Sequence, residues 1–122
     1  MEKKVNLKEK LESFNDTWSP KVVGELNNQY VKVVKLQGEY VWHFHECEDE
    51  LFMVIDGEMK LHFRDGTVTL KEGEFCVVPH GVEHKPEASD LCQVLLFEPA
   101  TTRNTGNVSN DVTIEPDDLE KI

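Results

Sequence analysis

The punctuation of its middle constrains this chain most. From Gly24 onward, short runs rich in Val, Leu, Phe and Tyr recur and are cut by turn residues. They cover 30–36 before Gly38, 40–45, 51–55 before Asp56-Gly57, 59–63 before Asp65-Gly66, 68–70 before Glu72-Gly73, 75–78 before Pro79-His80-Gly81, and 91–97 before Pro99. Apolar residues alternate with polar ones in these runs, as in strands with one buried face. Asp-Gly between two such runs signals a hairpin, because a type I′ turn needs positive φ at both central residues. Many short strands at intervals of roughly 8–12 residues predict an antiparallel sandwich or small barrel.

The two ends read differently. Leu7, Leu11 and Phe14 form one stripe of a short amphipathic helix. Asn6 can cap it, and Glu9 stands where a capping box needs an acid. Ser19-Pro20 is expected to end it, since a residue before proline is pushed out of the helical region. Such a helix is too short to be stable alone and must dock. The tail after Pro99 is polar, with an acidic stretch from Glu115 to Glu120. The expected organisation is a helical arm over 1–20, a β-barrel over 21–99, and a tail over 100–122 packing on or near the barrel.

At 122 residues and 14.0 kDa the chain is one domain's worth. Its net charge of −11 disfavours nucleic acid and anionic lipid, whose binding needs clustered Lys and Arg. The longest apolar run, residues 51–55, is far short of a membrane span. The N-terminus has no apolar core of a secretory signal. Cys47, Cys76 and Cys92 are an odd number without a CxxC spacing, which suits reduced thiols in a cytoplasmic protein.

Chemistry concentrates in a few polar residues. His43 and His45, at i and i+2 of an extended run, share one face about 6–7 Å apart at ~3.3 Å rise per residue. Two neutral imidazoles so placed can converge on one ion. Glu50 follows a polar loop and can point back across a hairpin, and His84 arrives just after a Pro-x-Gly turn. The alternative is a polar patch with no ion. It would leave buried imidazoles and a carboxylate unpaired, at about 1–3 kcal/mol each.

These spacings resemble the cupin superfamily. Its first motif is matched by Gly38, His43, His45, Glu50 and Gly57, and its second by Gly73, Pro79, Gly81 and His84. There are two departures: the gap from Gly38 to His43 is one residue shorter than usual, and Ala88 stands where the pattern has Asn. The resemblance implies an antiparallel double-stranded β-helix (a jelly-roll barrel) in which His43, His45, Glu50 and His84 bind one divalent metal with one or two positions open. More narrowly, Trp18-Ser19-Pro20, Asp49-Glu50-Leu51-Phe52, Gly81-Val82-Glu83-His84 and Asn104-Thr105-Gly106 resemble small single-domain cupins similar to mannose-6-phosphate isomerases. Three nitrogen ligands and one carboxylate suit Zn, Fe, Mn, Ni or Co rather than Ca or Mg.

The remaining candidates read as structural. His62 is expected on a solvent-facing strand position and His80 in an exposed turn. Cys47 reads as a loop residue beside the ligands, with Glu46, Glu48 and Asp49 making that loop acidic. Cys76 and Cys92 read as core residues. Tyr40, Trp42 and Phe44 are expected opposite the histidine face. Their need for cover, from the chain or a second copy, suggests a homodimer. No general base stands out, so catalytic residues are unassigned. The function expected is a mononuclear metalloenzyme, an isomerase or dioxygenase, acting on a small polar or sugar-like molecule. The alternatives are a sensing or storage module that binds metal and ligand, or a metal-free barrel whose histidines bind a ligand directly.

Overall fold

In the computed structural model, which describes residues 1–122, the alternating runs become strands wrapped around one core. Helix α1 (Leu7–Glu12) is followed by β1 (Lys21–Leu26), β2 (Gln29–Glu39), β3 (Glu50–Asp56), β4 (Glu58–Phe63), β5 (Gly66–Lys71), β6 (Phe75–Val78), β7 (His84–Pro99) and β8 (Glu120–Lys121). The all-β expectation holds. Twelve buried residues make the core, from Val34 and Leu36 on β2 through Phe52 on β3 and Leu61 on β4 to Val94 and Leu96 on β7.

β7 organises the fold. Along one edge it pairs with β2, from Gln29↔Pro99 to Glu39↔Glu87. Along the other it pairs first with β4 (Phe63↔His84 to Lys60↔Glu87) and then with β3 (Asp56↔Gln93 to Leu51↔Phe97). One strand thus belongs to both halves of the barrel. Irregularities at Leu36/Gly38 in β2 and at Val54/Asp56 in β3 bend the ladders where β7 changes partner. Gly57, between β3 and β4, sits against that corner with φ 94°. A Cβ there would lie 3.1 Å from the Leu91 carbonyl oxygen and 3.2 Å from Cys92 Cα, so only glycine fits.

The hydrogen-bonded path does not run full circle. It goes β5-β4-β7-β2-β1-β8, with β3 joining β6 to β7. The β1–β8 pair is parallel, an exception to the antiparallel pattern made by the chain's last residues (Lys21↔Glu120, Val22↔Lys121).

Local expectations are corrected in four places. Asn6 Oδ1 does accept from Glu9 N at 3.1 Å, but α1 stops at Glu12, because Ser13 caps it through Lys10 O well before the proline. Residues 40–45 form no regular strand; only a His43↔His84 bridge survives, and alternation does not carry through. β1 and the first half of β7 (residues 84–90) are strands that the sparse apolar residues there conceal. β2 runs to Glu39, longer than its apolar stretch, because β7 pairs with it throughout.

Candidate metal centre

The segment carrying His43 and His45 is held by its neighbours rather than by a ladder. His43 and His84 exchange backbone hydrogen bonds of 3.0 and 2.9 Å, and Gly81 N donates to His45 O at 2.7 Å. The tail supplies the other side: Asn107 N donates to Phe44 O at 3.1 Å, and Phe44 N donates to Asn107 Oδ1 at 2.9 Å. Gly106 lets that clasp close. A Cβ on it would overlap Phe44 O and come within 3.0 Å of His43 Cδ2.

These contacts bring together the four residues singled out above. His43, His45, Glu50 and His84 are all buried, and one ligand atom from each lies within 4.8 Å of the others. The His43 ring centroid is 5.0 Å from that of His45 and 4.3 Å from that of His84. Nδ1 of His43 faces Val41 O at 2.9 Å, and Nδ1 of His84 faces Val82 O at 3.0 Å. A carbonyl only accepts, so each Nδ1 carries the proton, and in the neutral ring Nε2 presents a lone pair. Burial lowers the His43 pKa to about 4, so its ring is neutral at pH 7.

Nε2 of His45 and His84 lie 3.2 and 3.3 Å from Glu50 Oε1, yet all three atoms lack a hydrogen-bond partner. Burial opposes an anionic Glu50, but His45 and His84 outweigh it and hold its carboxyl well below the usual range. That arrangement needs positive charge between the carboxylate and the ring nitrogens, which a proton or a cation supplies. The cluster is thus compatible with a divalent metal.

The other candidates stand apart from it. His62 is not solvent-facing but half-buried, with Nε2 2.7 Å from Glu87 Oε1 and Nδ1 2.9 Å from Thr67 Oγ1. His80 is exposed and pairs with Asp49 Oδ1 at 2.9 Å. Thr101 Oγ1 donates to Glu48 at 2.9 Å, tying the acidic loop to the tail. Cys47 is exposed, Cys76 intermediate and Cys92 buried, none of them paired. Burial raises the Cys92 thiol to about 11.

The three aromatics divide. Tyr40 is inside, stacked on Trp18 with centroids 4.5 Å apart and edge-on to His43 at 5.6 Å. The lost regularity before His43 changes its parity. Burial, reinforced by the charges of Glu50 and Glu98, pushes its hydroxyl above the ordinary range, so it stays a donor. Trp42 is outside and covered by this chain, with the Arg64 guanidinium 3.9 Å over its ring. Phe44 is half-buried, with its backbone clasped by Asn107, so the cover over Tyr40 and Trp42 comes from this chain and neither ring calls for a second copy.

Two interior residues went unnoticed in the sequence. Lys32 and Glu98 are 1% and 2% exposed and pair at 2.8 Å, Nζ to Oε1. Burial and then the Glu50 charge push the Glu98 carboxyl well above its usual range. The signal was phase: Lys32 alternates in step with Val34 and Leu36, and Glu98 in step with Val94 and Leu96, all of them buried.

Comparison with known proteins bears on this centre. Residues 30–98 match the family model for the cupin domain. A cupin-2 domain-containing protein of Shewanella frigidimarina has a similar structure, at TM-score 0.77 and 45% identity, covering 78% of this chain and 93% of that one. Protein NMB1881 of Neisseria meningitidis superposes at TM-score 0.73 and 34% identity over 80% and 99% of the two chains. The uncharacterized protein YdbB of Bacillus subtilis (strain 168) is 38% identical over 64 residues, 52% of this chain; the match spans only 57% of that relative's length.

Proposed function

The chain belongs to the cupin family, and from that premise we propose that it is a mononuclear metalloenzyme acting on a small polar organic molecule. The supporting observation is the set of orphaned atoms: His45 Nε2, His84 Nε2 and Glu50 Oε1 are buried and face one another without a hydrogen bond. Together with His43 they would hold one transition-metal ion. When bound, such an ion supplies Lewis acidity at an open coordination position, the chemistry an isomerase or an oxygenase requires.

The protein's own share is positioning. The Val41 and Val82 carbonyls orient two rings through Nδ1, and the clasp of Asn107 on Phe44 keeps the His43 segment in place. The Tyr40 hydroxyl, kept protonated, provides a donor beside the cluster.

The test is elemental analysis of the purified protein and of His43→Ala and His84→Ala. We expect about one equivalent of Zn, Fe, Mn, Ni or Co in the parent and roughly tenfold or greater loss of affinity in each variant. Unchanged metal content in both variants rejects the ligand set. Turnover of small carbonyl and hydroxy compounds, with and without the identified ion, then separates an enzyme from a binding module.

Two finer readings complete the proposal. The unpaired thiols fit a reducing, cytoplasmic setting. A homodimer fits a different surface from the one first considered. Phe75 and Val77 on β6 are exposed, and Met53, Leu51, Leu95 and Phe97 lie beside them in two rows across β3 and β7. For a chain of net charge −11, this apolar face lets a second copy approach without opposing like charges.

A further inference from the structure

Behind Glu50 lies a second carboxyl. Leu51 of β3 pairs with Phe97 of β7, so the next rung sets Glu50 beside Glu98, and both residues are buried. Lys32 reaches the same place from β2, where it pairs with Leu96, two residues before Glu98. Its Nζ donates to Glu98 Oε1 at 2.8 Å. Oε2 meets no N–H or hydroxyl group, and the Glu98 carboxyl is instead hydrogen-bonded to Glu50. Lys32, Glu98 and Glu50 thus form an interior row, with exposures of 1%, 2% and 5%.

One arrangement of charge satisfies this row. Like charges opposed across two strands repel, and the repulsion grows out of water. Ionised carboxylates only accept, so a hydrogen bond between two carboxyls must contain one proton. Glu50 Oε1 faces Nε2 of His45 and His84 at 3.2 and 3.3 Å, and a carboxylate ligates as the anion. The proton therefore belongs to Glu98, which donates to Glu50 while it accepts from Lys32. Glu50 balances the charge of Lys32 across this neutral acid. The two carboxyls border a space of only about 30 Å³, which is water-sized, so Glu98 is reached by its two neighbours rather than by an organic ligand.

We propose that Glu98 is a positioning residue of the metal centre: it holds the Glu50 carboxylate from behind by donating a hydrogen bond to it, and Lys32 anchors Glu98 in turn. This rests on the reading of the four buried residues as ligands. A buried ion pair is by itself often replaceable by apolar side chains without loss of stability. Here the contact acts on a ligand, and loss of such an outer contact weakens metal binding by about 10–100-fold.

The test titrates Co²⁺ into the full chain after chelation and follows its visible absorption, which reports ligand geometry. Glu98→Gln keeps an N–H donor toward Glu50 and an oxygen for Lys32, so it should keep the parent's absorption band and an affinity within about threefold. Lys32→Met/Glu98→Leu removes the pair together, so that no charge is stranded, and leaves Glu50 without its donor. That variant should bind Co²⁺ about tenfold or more weakly, with a displaced band. If it does not fold, infrared spectra of the Co²⁺-loaded parent and Glu98→Gln decide instead. The C=O band of a protonated carboxyl is expected in the parent and missing from the variant.

Three results overturn the proposal: a tenfold or greater loss of affinity in Glu98→Gln, a folded double variant with the parent's affinity and band, or no infrared band that Glu98→Gln removes. Failure of the metal reading shows separately, as Co²⁺ binding that His43→Ala and His84→Ala leave unchanged, and it takes this proposal with it.

Discussion

Single atoms decide what this site can do. A histidine can ligate only through a nitrogen with a free lone pair, and the choice of nitrogen is made at the opposite side of the ring. In His43 and His84 it is made by the carbonyl two residues earlier, Val41 and Val82, so that both Nε2 atoms turn inward. Gly106 acts at the same scale from a distant part of the chain. It carries φ 57°, and a Cβ on it would press on Phe44 O and on the His43 ring. Gly106→Ala is expected to cost about 1–3 kcal/mol, the usual range for overpacking, with a midpoint lowered by several degrees in thermal unfolding. It should also weaken metal binding, since the displaced backbone carries a ligand. A variant with unchanged midpoint and metal content would show that the clasp is looser than described.

Among the elements, β7 does most to assemble the centre. It begins with His84, pairs with β4, β3 and β2, and ends near Glu98, so it carries one candidate ligand and the buried partner of Lys32 at its two ends. β3 begins with Glu50, whose backbone pairs with Val78 on β6. The inward faces of these strands make the core and the site, and their outward faces carry the Phe75–Val77 patch. Phe75→Asp changes only an exposed side chain and should leave folding intact. It is expected to shift a dimer toward monomer at micromolar concentration in sedimentation equilibrium, because each interface would then carry a pair of buried like charges. A parent chain that sediments as a monomer at all concentrations would dismiss the interface.

For the molecule as a whole, a buried cluster couples stability to metal and to pH. Metal that binds only the folded state raises the unfolding midpoint by mass action, by about 4 kcal/mol at a thousandfold excess over Kd. Without metal, His43 sets one slope. Its folded pKa of about 4 lies below the unfolded value of 6.5, so the unfolded chain binds more protons between them, and stability is lost as pH falls through that window. Glu98 sets the opposite slope. Its folded pKa is raised above 4.5, so the folded state binds more protons there and gains stability as pH falls toward that value. In chelated protein, thermal midpoints between pH 7 and pH 4 should therefore fall less in His43→Gln than in the parent, and more in Glu98→Gln. Parallel curves for all three proteins would contradict these assignments.

Periodicity, turn chemistry and motif spacing were enough to reveal an all-β chain, most of its strands, and the four residues that meet at its centre. All of these are local or short-range properties, written in which side chains alternate and where glycine must stand. What escaped was decided by long-range pairing. Residues 40–45 read as a strand, but isolated hydrogen bonds to Pro86, His84 and Gly81 and the tail's clasp hold them instead of a continuous ladder, and they break phase, turning Tyr40 inward. The ion pair of Lys32 with Glu98 exists only once β2 and β7 lie side by side and bring Nζ to Oε1. The parallel closure of β8 on β1 joins residues almost a chain length apart, a contact that no local pattern encodes. A residue's own chemistry can be read along the chain, whereas the atoms that will satisfy it or leave it bare are supplied by segments that only folding brings near.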